Sequence, residues 1–274
     1  CQNRGRRIVV MKRYFAGAYL FFLLIMLYAP IAIIMIFSFT EAKVLGNWTG
    51  FSFKLYTSLF SPGGHHSLMS ALWNTLLIGI IAATVSTLLG TMAAIGIHNL
   101  RPRARTAVKL VNSIPVLNPD IITAISLFLL FVSLGIAGGY TTVILAHISF
   151  CTPFVVLSVL PRLRQMNDNL YEAALDLGAS PMQALVKILL PELWPGMVAG
   201  FLLAFTLSID DFVITLFTIG NEGLETLSTF IYADARKGGL TPELRALSTI
   251  IFLVVLALLL LVNRRSNLSN RHNS

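Results

Sequence analysis

The stretch that decides the fold is residues 110–161, LVNSIPVLNPDIITAISLFLLFVSLGIAGGYTTVILAHISFCTPFVVLSVLP, in which Asp120 is the only formally charged residue. A helix of about 20 apolar residues crosses the hydrocarbon core of a bilayer, so this stretch is too long for one crossing. The glycine-rich segment 135–139 in its middle predicts a tight turn. The stretch therefore predicts two membrane spans joined by a short turn.

The composition of the whole chain agrees with a membrane protein. The 274 residues are 56% hydrophobic and 12% charged, whereas a typical soluble domain is about 25% charged. Too few charges remain to cover a water-soluble surface, which excludes the soluble domains that the length alone would suggest. Segments of about ten residues with alternating hydrophobicity are absent, so a β-barrel is not expected.

Hydropathy predicts an all-α membrane protein with six transmembrane helices in one domain, residues 14–263. The approximate spans are 14–39, 71–97, 108–134, 141–161, 193–219 and 246–263. A basic segment, 1–13, precedes the domain and a tail, 264–274, follows it. Because Met11 directly precedes a basic pair and the first span, we expect residues 1–10 to be an upstream extension of the reading frame. A lipidated Cys1 is the alternative.

The Lys and Arg residues are distributed unevenly among the predicted links. Of the 20 Lys and Arg residues, 15 lie in four segments: the two terminal segments and the links 98–109 and 162–193. Positively charged loops stay in the cytoplasm, so both termini are expected there. Six spans, an even number, place both termini on the same side of the membrane. The net charge of +8 is explained by this asymmetry and by anionic lipid, and nucleic-acid binding is not expected.

The link 162–193 predicts two short helices around a bend. Gly178 follows the first helix, where a residue with left-handed backbone geometry is needed. Ser180 with Gln183 fits a capping box for the second helix, with Pro181 at the first helical position. Pro191 is expected to end the second helix before span five. An amphipathic loop that lies on the membrane surface is the alternative interpretation.

The first of these helices carries small side chains, Ala173 and Ala174, on one side and has a specific sequence pattern. Glu172-Ala173-Ala174 is followed after three residues by Gly178, and after nine more by Ile188-Leu189-Leu190-Pro191. This pattern resembles the "EAA" loop of ABC-importer permeases at every position. The resemblance implies the type I importer permease (MetI-like) fold. It also implies that the loop is the coupling helix that docks on an ATPase subunit. The residues that it assigns to this contact are Glu172, Ala173, Ala174, Gly178, Ile188, Leu190 and Pro191.

The resemblance also implies partners. A permease of this kind pairs with a second permease, expected here to be homologous but different, and with two ABC ATPase subunits. A soluble binding protein outside the membrane delivers the substrate. The chain has no G-x-x-x-x-G-K-[ST] motif. ATP and Mg are therefore expected on the ATPase, no cofactor on this chain, and no enzymatic activity. The expected location is a bacterial inner membrane.

Three acidic residues, Asp120, Asp210 and Asp211, fall inside predicted spans. An ionised Asp at mid-span costs roughly 2.5–3.5 kcal/mol, and such residues usually face a cavity. On a helix, Asp211 shares a face with Ser208 and Thr215, which favours a polar pathway. Asp210 is favoured for contact with a partner subunit. No Lys or Arg lies in the apolar part of a span, so the compensating charge is expected from a permeating cation or another chain. Protonated buried carboxyls, or caps on a broken helix, are the alternatives.

A narrower resemblance supports a cationic substrate. The segment 205–213, which contains Ser208-Ile209-Asp210-Asp211, resembles the permeases of spermidine/putrescine importers, as do 119–121 and 147–156. That group implies polyamine substrates and a substrate pathway at Asp211, Asp210, Asp120, Ser208 and Thr215. Three alternatives stay open: an importer permease for another small solute, a proton-coupled secondary transporter, and a membrane scaffold without transport.

Two further features have structural interpretations. Gly196, Gly200, Ala204 and Ser208 form a ridge of small residues at spacing four. Such a ridge allows close helix packing within the bundle or against a sister permease. His147 has no Cys, His or carboxylate at metal-ligand spacing, so a packing or hydrogen-bonding role is favoured and no metal site is expected.

Overall fold

The structure, a computed structural model, describes residues 2–42, 46–60, 66–166, 169–221, 223–237 and 241–272. Every regular element in these ranges is helical. The helices are α1 (Gln2–Phe37), α2 (Lys54–Phe60), α3 (His66–His98), α4 (Pro102–Leu117), α5 (Asp120–Ser133), α6 (Tyr140–Gln165), α7 (Asn169–Asp176), α8 (Pro181–Ala184), α9 (Leu190–Asp210), α10 (Val213–Thr218), α11 (Leu227–Arg236) and α12 (Glu243–His272). A π-helical turn, Leu185–Leu189, joins α8 to α9.

The chain divides into two compact units. The first contains residues 1–66 and 234–274, the second residues 67–233. In the first unit the Ser38 and Tyr56 hydroxyls lie 2.6 Å apart, and Arg245 Nη1 donates to the Ala42 carbonyl at 2.8 Å. The rings of Phe39 and Phe51 stack with their centroids 5.4 Å apart. These contacts join the segment after α1 to α2 and to the start of α12.

In the second unit α6 lies at the centre of the hydrophobic core. Its buried residues run along its whole length, from Thr142 to Leu163. The core residues around it come from α3, α5, α9 and α10.

The ridge of small residues packs α9 against α6. The buried residues of α9 are Leu193, Gly196, Gly200, Ala204 and Ser208, one per turn. A Cβ atom on Gly200 would lie 3.1 Å from Val155 Cγ1 on α6. The two backbones approach closely because these positions carry almost no side chain. The prediction of close helix packing at this ridge is confirmed, and the packing lies within the chain.

Four helical segments are long and apolar enough to span a membrane. They are Gly17–Phe37, Leu68–Asn99, Tyr140–Gln165 and Pro181–Asp210. The pair α4 and α5 passes the same test together but is bent by 102°, so the described residues hold at most five candidates. The predicted sixth span, 246–263, lies on α12, whose side chains are described only to residue 257. The count of six stays a prediction.

The predicted third span is broken at a proline. Asn118 has φ −74° and ψ 142°, the extended geometry that a following proline imposes, and Pro119 precedes α5. Pro115 lies inside α4 without ending it. The predicted turn after α5 is confirmed, since α5 ends at Ser133, Gly135 has φ +67°, and α6 begins at Tyr140.

The predicted fifth span differs from a single helix over 193–219. The helix begins earlier, within the link 162–193, and ends at Asp210. The expectation that Pro191 ends the preceding helix was wrong. A proline lacks an N–H and its ring crowds the carbonyl four residues earlier. Here the Leu190 amide donates to the Leu185 carbonyl in a wider π turn, which leaves room for Pro191 in the first turn of α9.

Candidate functional site

The bend of the loop between α6 and α9 is built by Gly178. Its φ is +88°, a left-handed geometry that glycine adopts without steric cost. The Gly178 amide donates to the Leu175 carbonyl at 2.9 Å, and the Ala179 amide donates to the Ala174 carbonyl at 3.0 Å. This pair of hydrogen bonds is the Schellman motif that closes a helix. The left-handed conformation predicted for Gly178 is confirmed.

The second helix of the loop has a complete N-terminal cap. Ser180 Oγ accepts from the Gln183 amide at 3.3 Å, and Gln183 Oε1 accepts from the Ser180 amide at 2.9 Å. Pro181 occupies the first helical position. The predicted capping box is confirmed, so the bend between α7 and α8 is held on both sides by hydrogen bonds.

The loop residues that the sequence pattern predicts to contact an ATPase lie mostly at the surface. Glu172, Ala173 and Gly178 are exposed and Ala174 is half-buried. Further along, Ile188 and Pro191 are exposed and Leu190 is half-buried. Two apolar side chains stand out: Leu177 is 89% exposed and Met182 67% exposed. A carboxylate beside exposed apolar side chains is a surface that can dock on another protein.

An ion pair joins the two ends of the loop. Arg162 Nη2 lies 3.0 Å from Glu192 Oε1, and Arg162 Nε donates to the Glu192 carbonyl at 3.2 Å. Arg162 is near the end of α6 and Glu192 is in the first turn of α9. Motion of the loop would therefore reach both long helices. The sequence pattern gave no signal for this pair, because the two residues are far apart in the chain.

A cavity of about 660 Å³ lies behind the loop. Tyr171, Glu172 and Met182 line it from the loop, and His98 and Arg105 line it from the end of α3 and the start of α4. Arg105 also donates a hydrogen bond to the His98 carbonyl. The cavity leaves the loop supported at its edges rather than packed over its whole inner surface.

A second polar region lies at the break between α9 and α10. The carboxylate of Asp211 accepts from the amides of Ile214 (3.2 Å) and Thr215 (2.8 Å), and from the Thr215 hydroxyl (2.8 Å). It therefore caps the first turn of α10. Ser228 Oγ donates to the Asp211 carbonyl at 2.8 Å. Broken helices need such substitutes for the lost backbone bonds when they lie at membrane depth.

His147 of α6 joins both sides of this break. Its Nδ1 lies 2.6 Å from Ser208 Oγ on α9, and its Nε2 lies 3.0 Å from Thr215 Oγ1 on α10. Nε2 is also 3.4 Å from Asp211 Oδ2, and the side chains of His147 and Asp211 are 1% and 5% exposed. The imidazole of His147 therefore lies beside the Asp211 carboxylate, and the hydrogen bonds from α10 agree with the alternative that one of these carboxylates caps a broken helix. The expectation of a hydrogen-bonding role for His147 agrees with these contacts.

The hydrogen atoms in this network can be assigned by counting donors. The Thr215 hydroxyl has one proton, which it donates to Asp211, so its oxygen must accept from the Nε2–H of His147. A neutral imidazole with a proton on Nε2 then accepts from the Ser208 hydroxyl at Nδ1. One tautomer thus satisfies every member of the network, and no excess positive charge is needed.

The three acidic residues occupy different surroundings. Asp211 is the buried cap, whereas Asp210 and Asp120 are exposed. Asp120 lies in the first turn of α5, where the helix dipole favours a negative charge. Ser208 and Thr215 are buried with Asp211. Helical spacing predicted that Ser208 and Thr215 lie on one face with Asp211, and their place on a substrate pathway stays a prediction. The contact of His147 with Asp211 was not predicted, because no local pattern links residue 147 to residue 211.

The C-terminal end of α10 is fixed to the start of α6. A Cβ atom on Gly138 would lie 2.5 Å from the Gly220 Cα, so the two backbones are in direct contact. The Thr142 hydroxyl donates to the Thr218 carbonyl at 2.8 Å. With the contacts of His147 at the break, α10 is held to α6 at both of its ends.

Comparison with known proteins identifies similar sequences along nearly the whole chain. Residues 86–272 match the family described as "Binding-protein-dependent transport system inner membrane component". The chain is 38% identical over 261 residues to the spermidine/putrescine transport system permease protein PotC of Haemophilus influenzae, covering 94% of this chain and all of that protein. It is 39% identical over 232 residues to the putrescine transport system permease protein PotI of Escherichia coli, covering 82% and 81%.

Solved structures share the fold. A bacterial ABC transporter involved in the import of the acidic polysaccharide alginate aligns with a TM-score of 0.68 at 15% identity, covering 93% of this chain and 95% of that one. The MetNI methionine ABC transporter aligns with a TM-score of 0.55 at 20% identity, covering 72% and 93%. At these identities the likeness concerns the fold alone.

Proposed function

Because the chain belongs to the family of binding-protein-dependent transport system inner membrane components, we propose that it is the permease subunit of an ATP-driven importer for polyamines. It is a multi-pass membrane transport permease and not an enzyme. We further propose a coupling site, partner subunits and a substrate for this permease.

The assignment of the coupling site rests on the geometry of the loop between α6 and α9. Its bend is held by the Schellman bonds at Gly178 and by the Ser180–Gln183 cap. Its two ends are joined by Arg162 and Glu192. A stiff loop with exposed apolar residues and Glu172 at its surface is suited to receive force from an ATPase and pass it to α6 and α9.

The proposed assembly has several subunits. A second, homologous permease completes the translocation path, two ABC ATPases bind the loops, and an extracytoplasmic binding protein delivers the substrate. ATP and Mg belong to the ATPases, and this chain holds no cofactor. The excess of Lys and Arg in four segments supports cytoplasmic termini, a cytoplasmic loop at 162–193 and insertion in a bacterial inner membrane.

The proposed substrates are spermidine and putrescine. Two observations support them: the names of the relatives with 38–39% identity, and the exposed carboxylates of Asp210 and Asp120 within the apolar segments. A carboxylate at membrane depth is costly unless a cation or water faces it. An importer permease for another small solute is the alternative, because the same fold occurs in a transporter of an acidic polysaccharide.

Coupling is tested by a matched pair of charge reversals. The complex of both permeases, the ATPase and the binding protein is reconstituted in liposomes, and ATP hydrolysis is measured with substrate-loaded binding protein. Glu172→Lys is expected to abolish the stimulated hydrolysis, because it reverses the charge on the docking surface. Glu41→Lys makes the same change between α1 and α2, where the exposed pair with Lys54 contributes little, and is expected to leave it unchanged. Equal stimulation in both variants would remove the assignment of the loop.

The substrate is tested in the same liposomes with labelled spermidine and putrescine. Uptake is expected to require ATP and the binding protein, and an excess of unlabelled polyamine is expected to abolish it. Methionine and an alginate oligosaccharide serve as unrelated competitors and are expected to have no effect. ATP-dependent transport of another solute without polyamine uptake would support the alternative importer instead.

A further inference from the structure

We propose that His147 is a positioning residue for transport: it ties together the helices on the two sides of the break at Asp210–Asp211 and so determines where the exposed Asp210 carboxylate lies. The proposal rests on the proposed function, which assigns Asp210 to the passage of a cation. It concerns a residue whose side chain is buried among helices of this chain.

The break leaves the two helices with little direct connection. The α9 helix ends at Asp210, and the first backbone bond of the next helix runs from the Leu216 amide to the Phe212 carbonyl. Between them Asp211 is extended, with φ −66° and ψ 134°. Two residues outside both helices can rotate about four soft dihedral angles. The relative orientation of α9 and α10 therefore depends on contacts with other helices: α10 packs against α5 and, at its C-terminal end, against α6, and the side-chain contacts of His147 act at the break itself.

The imidazole ring provides such contacts on both sides. Ser208 lies in the last turn of α9 and Thr215 lies in the first turn of α10. The imidazole ring forms a hydrogen bond with each of them. The ring is planar and its two nitrogens are a fixed distance apart, so it sets the spacing between the two helices. The network is buried, where hydrogen bonds are stronger than in water and unpaired partners are costly.

The two nitrogens have different roles in this arrangement. The Nε2 side reaches Thr215 and Asp211, which form the cap of α10, whereas the Nδ1 side bonds to Ser208. In His147→Gln the amide group lies near the position of Nε2, and in His147→Asn near that of Nδ1. The proposal therefore predicts that the glutamine variant retains more of the geometry than the asparagine variant.

The first test measures geometry without any substrate. Asp210→Cys is introduced in a Cys1→Ser, Cys151→Ala background of the full complex, and its reaction with 2-aminoethyl methanethiosulfonate is timed in membranes. His147→Asn is expected to change the rate by about tenfold, the factor that corresponds to one lost hydrogen bond. His147→Gln is expected to change it much less. Unchanged labelling in both variants, in correctly assembled complexes, would overturn the proposal.

The second test measures transport of labelled spermidine with Asp210 restored. His147→Asn is expected to raise KM more than it lowers the maximal rate per assembled complex, and His147→Gln to restore most of the affinity. Cys151→Ala is the control, because Cys151 lies one turn along α6 and its thiol donates to the Ala204 carbonyl of α9 rather than to the groups at the break. A purely structural role would lower only the amount of complex. If the unaltered complex takes up no spermidine, the proposed function fails while the labelling still decides the position of Asp210.

Variants of the partners keep the proposal testable if changes at His147 prevent assembly. Thr215→Val removes the hydroxyl that links the ring to Asp211 at nearly constant volume, and Ser208→Ala removes the other contact. Thr215→Val is expected to change the labelling of Asp210→Cys, with Ser208→Ala having the smaller effect. Wild-type labelling in both would contradict the proposal.

Discussion

Asp210 and Asp211 are neighbours with the same side chain, and the end of a helix between them gives their carboxylates different surroundings. Asp211 accepts three hydrogen bonds from the first turn of α10 and is 5% exposed. Asp210 is the last residue of α9 and is exposed. Chemical identity therefore does not imply a shared role, because one carboxylate replaces missing backbone bonds and the other remains accessible.

The two residues are expected to differ in their effect on stability. Asp211→Ala removes the cap of α10, which costs about 1–2 kcal/mol, and also leaves the hydroxyl of Thr215 without its acceptor. Asp210→Ala removes no bond of that network. The measurement is the melting temperature of the purified complex in detergent, and only Asp211→Ala should lower it. Equal melting temperatures would show that the cap contributes nothing.

Gly178 is expected to be sensitive through its backbone alone. A Cβ atom at this position would meet nothing within 4 Å, but an L-residue with φ +88° is strained by roughly 1–2 kcal/mol. Gly178→Ala should therefore weaken substrate-stimulated ATP hydrolysis, and Gly178→Asn should weaken it less, since Asn tolerates left-handed geometry. The measurement is hydrolysis in reconstituted liposomes.

Gly135 provides the matched control for that experiment. It has φ +67°, and a Cβ atom there would also meet nothing within 4 Å, but it lies in the turn between α5 and α6. Gly135→Ala introduces a similar strain away from the loop and should leave stimulated hydrolysis unchanged. An equal loss from both alanine variants would point to general destabilisation rather than to coupling.

At the scale of the element, α9 combines three tasks along one helix. Its first turns hold the ion pair to α6, its small residues form the close contact with α6, and its last turn carries Ser208 and Asp210. The spacing of four keeps Gly196, Gly200, Ala204 and Ser208 on one face. A displacement at the loop would therefore be carried by a single helix to the break.

Adding volume to this face is expected to disrupt packing. Gly200→Leu places a side chain where a Cβ atom alone would lie 3.1 Å from Val155, and overpacking costs typically 1–3 kcal/mol. Ala199→Leu is the control, because Ala199 is the preceding residue on the same helix and is exposed. The fraction of protein in the monodisperse peak during size-exclusion chromatography should fall for Gly200→Leu only. Equal profiles would mean that the ridge tolerates a large side chain.

At the scale of the whole molecule, the few charged residues have separate tasks. With 12% charged residues, most of the chain is suited to lipid and to helix contacts. The Lys and Arg residues are concentrated in the two terminal segments and two links, and Glu172 lies in the loop that we propose as the coupling site. The orientation of the chain in the membrane should follow from this asymmetry.

Topology is expected to place both ends of the chain in the cytoplasm. Green fluorescent protein fused after residue 274, or inserted after residue 104, should fluoresce, because it folds in the cytoplasm. Alkaline phosphatase fused after residue 50 or residue 137 should be active, because it requires the periplasm. Active phosphatase after residue 274 would contradict the predicted cytoplasmic C-terminus.

The sequence alone was sufficient for features that depend on local chemistry. The glycine turn after α5, the left-handed Gly178 and the cap of Ser180 follow from backbone preferences of single residues. The permease family followed from a pattern contained in a single loop, from residue 172 to 191. These features need no knowledge of distant contacts, because every interacting group lies within a few turns of the chain.

The tertiary structure decided which polar residues meet. The partner of Asp211 is His147 on another helix, and the partner of Arg162 is Glu192 at the far end of the loop. Helical periodicity predicts which residues share a face, but it cannot show whether that face meets a cavity, lipid or another helix. The burial of Ser208, Asp211 and Thr215 therefore became visible only when α6 was placed against α9 and α10, because hydrogen bonds between helices depend on packing in three dimensions.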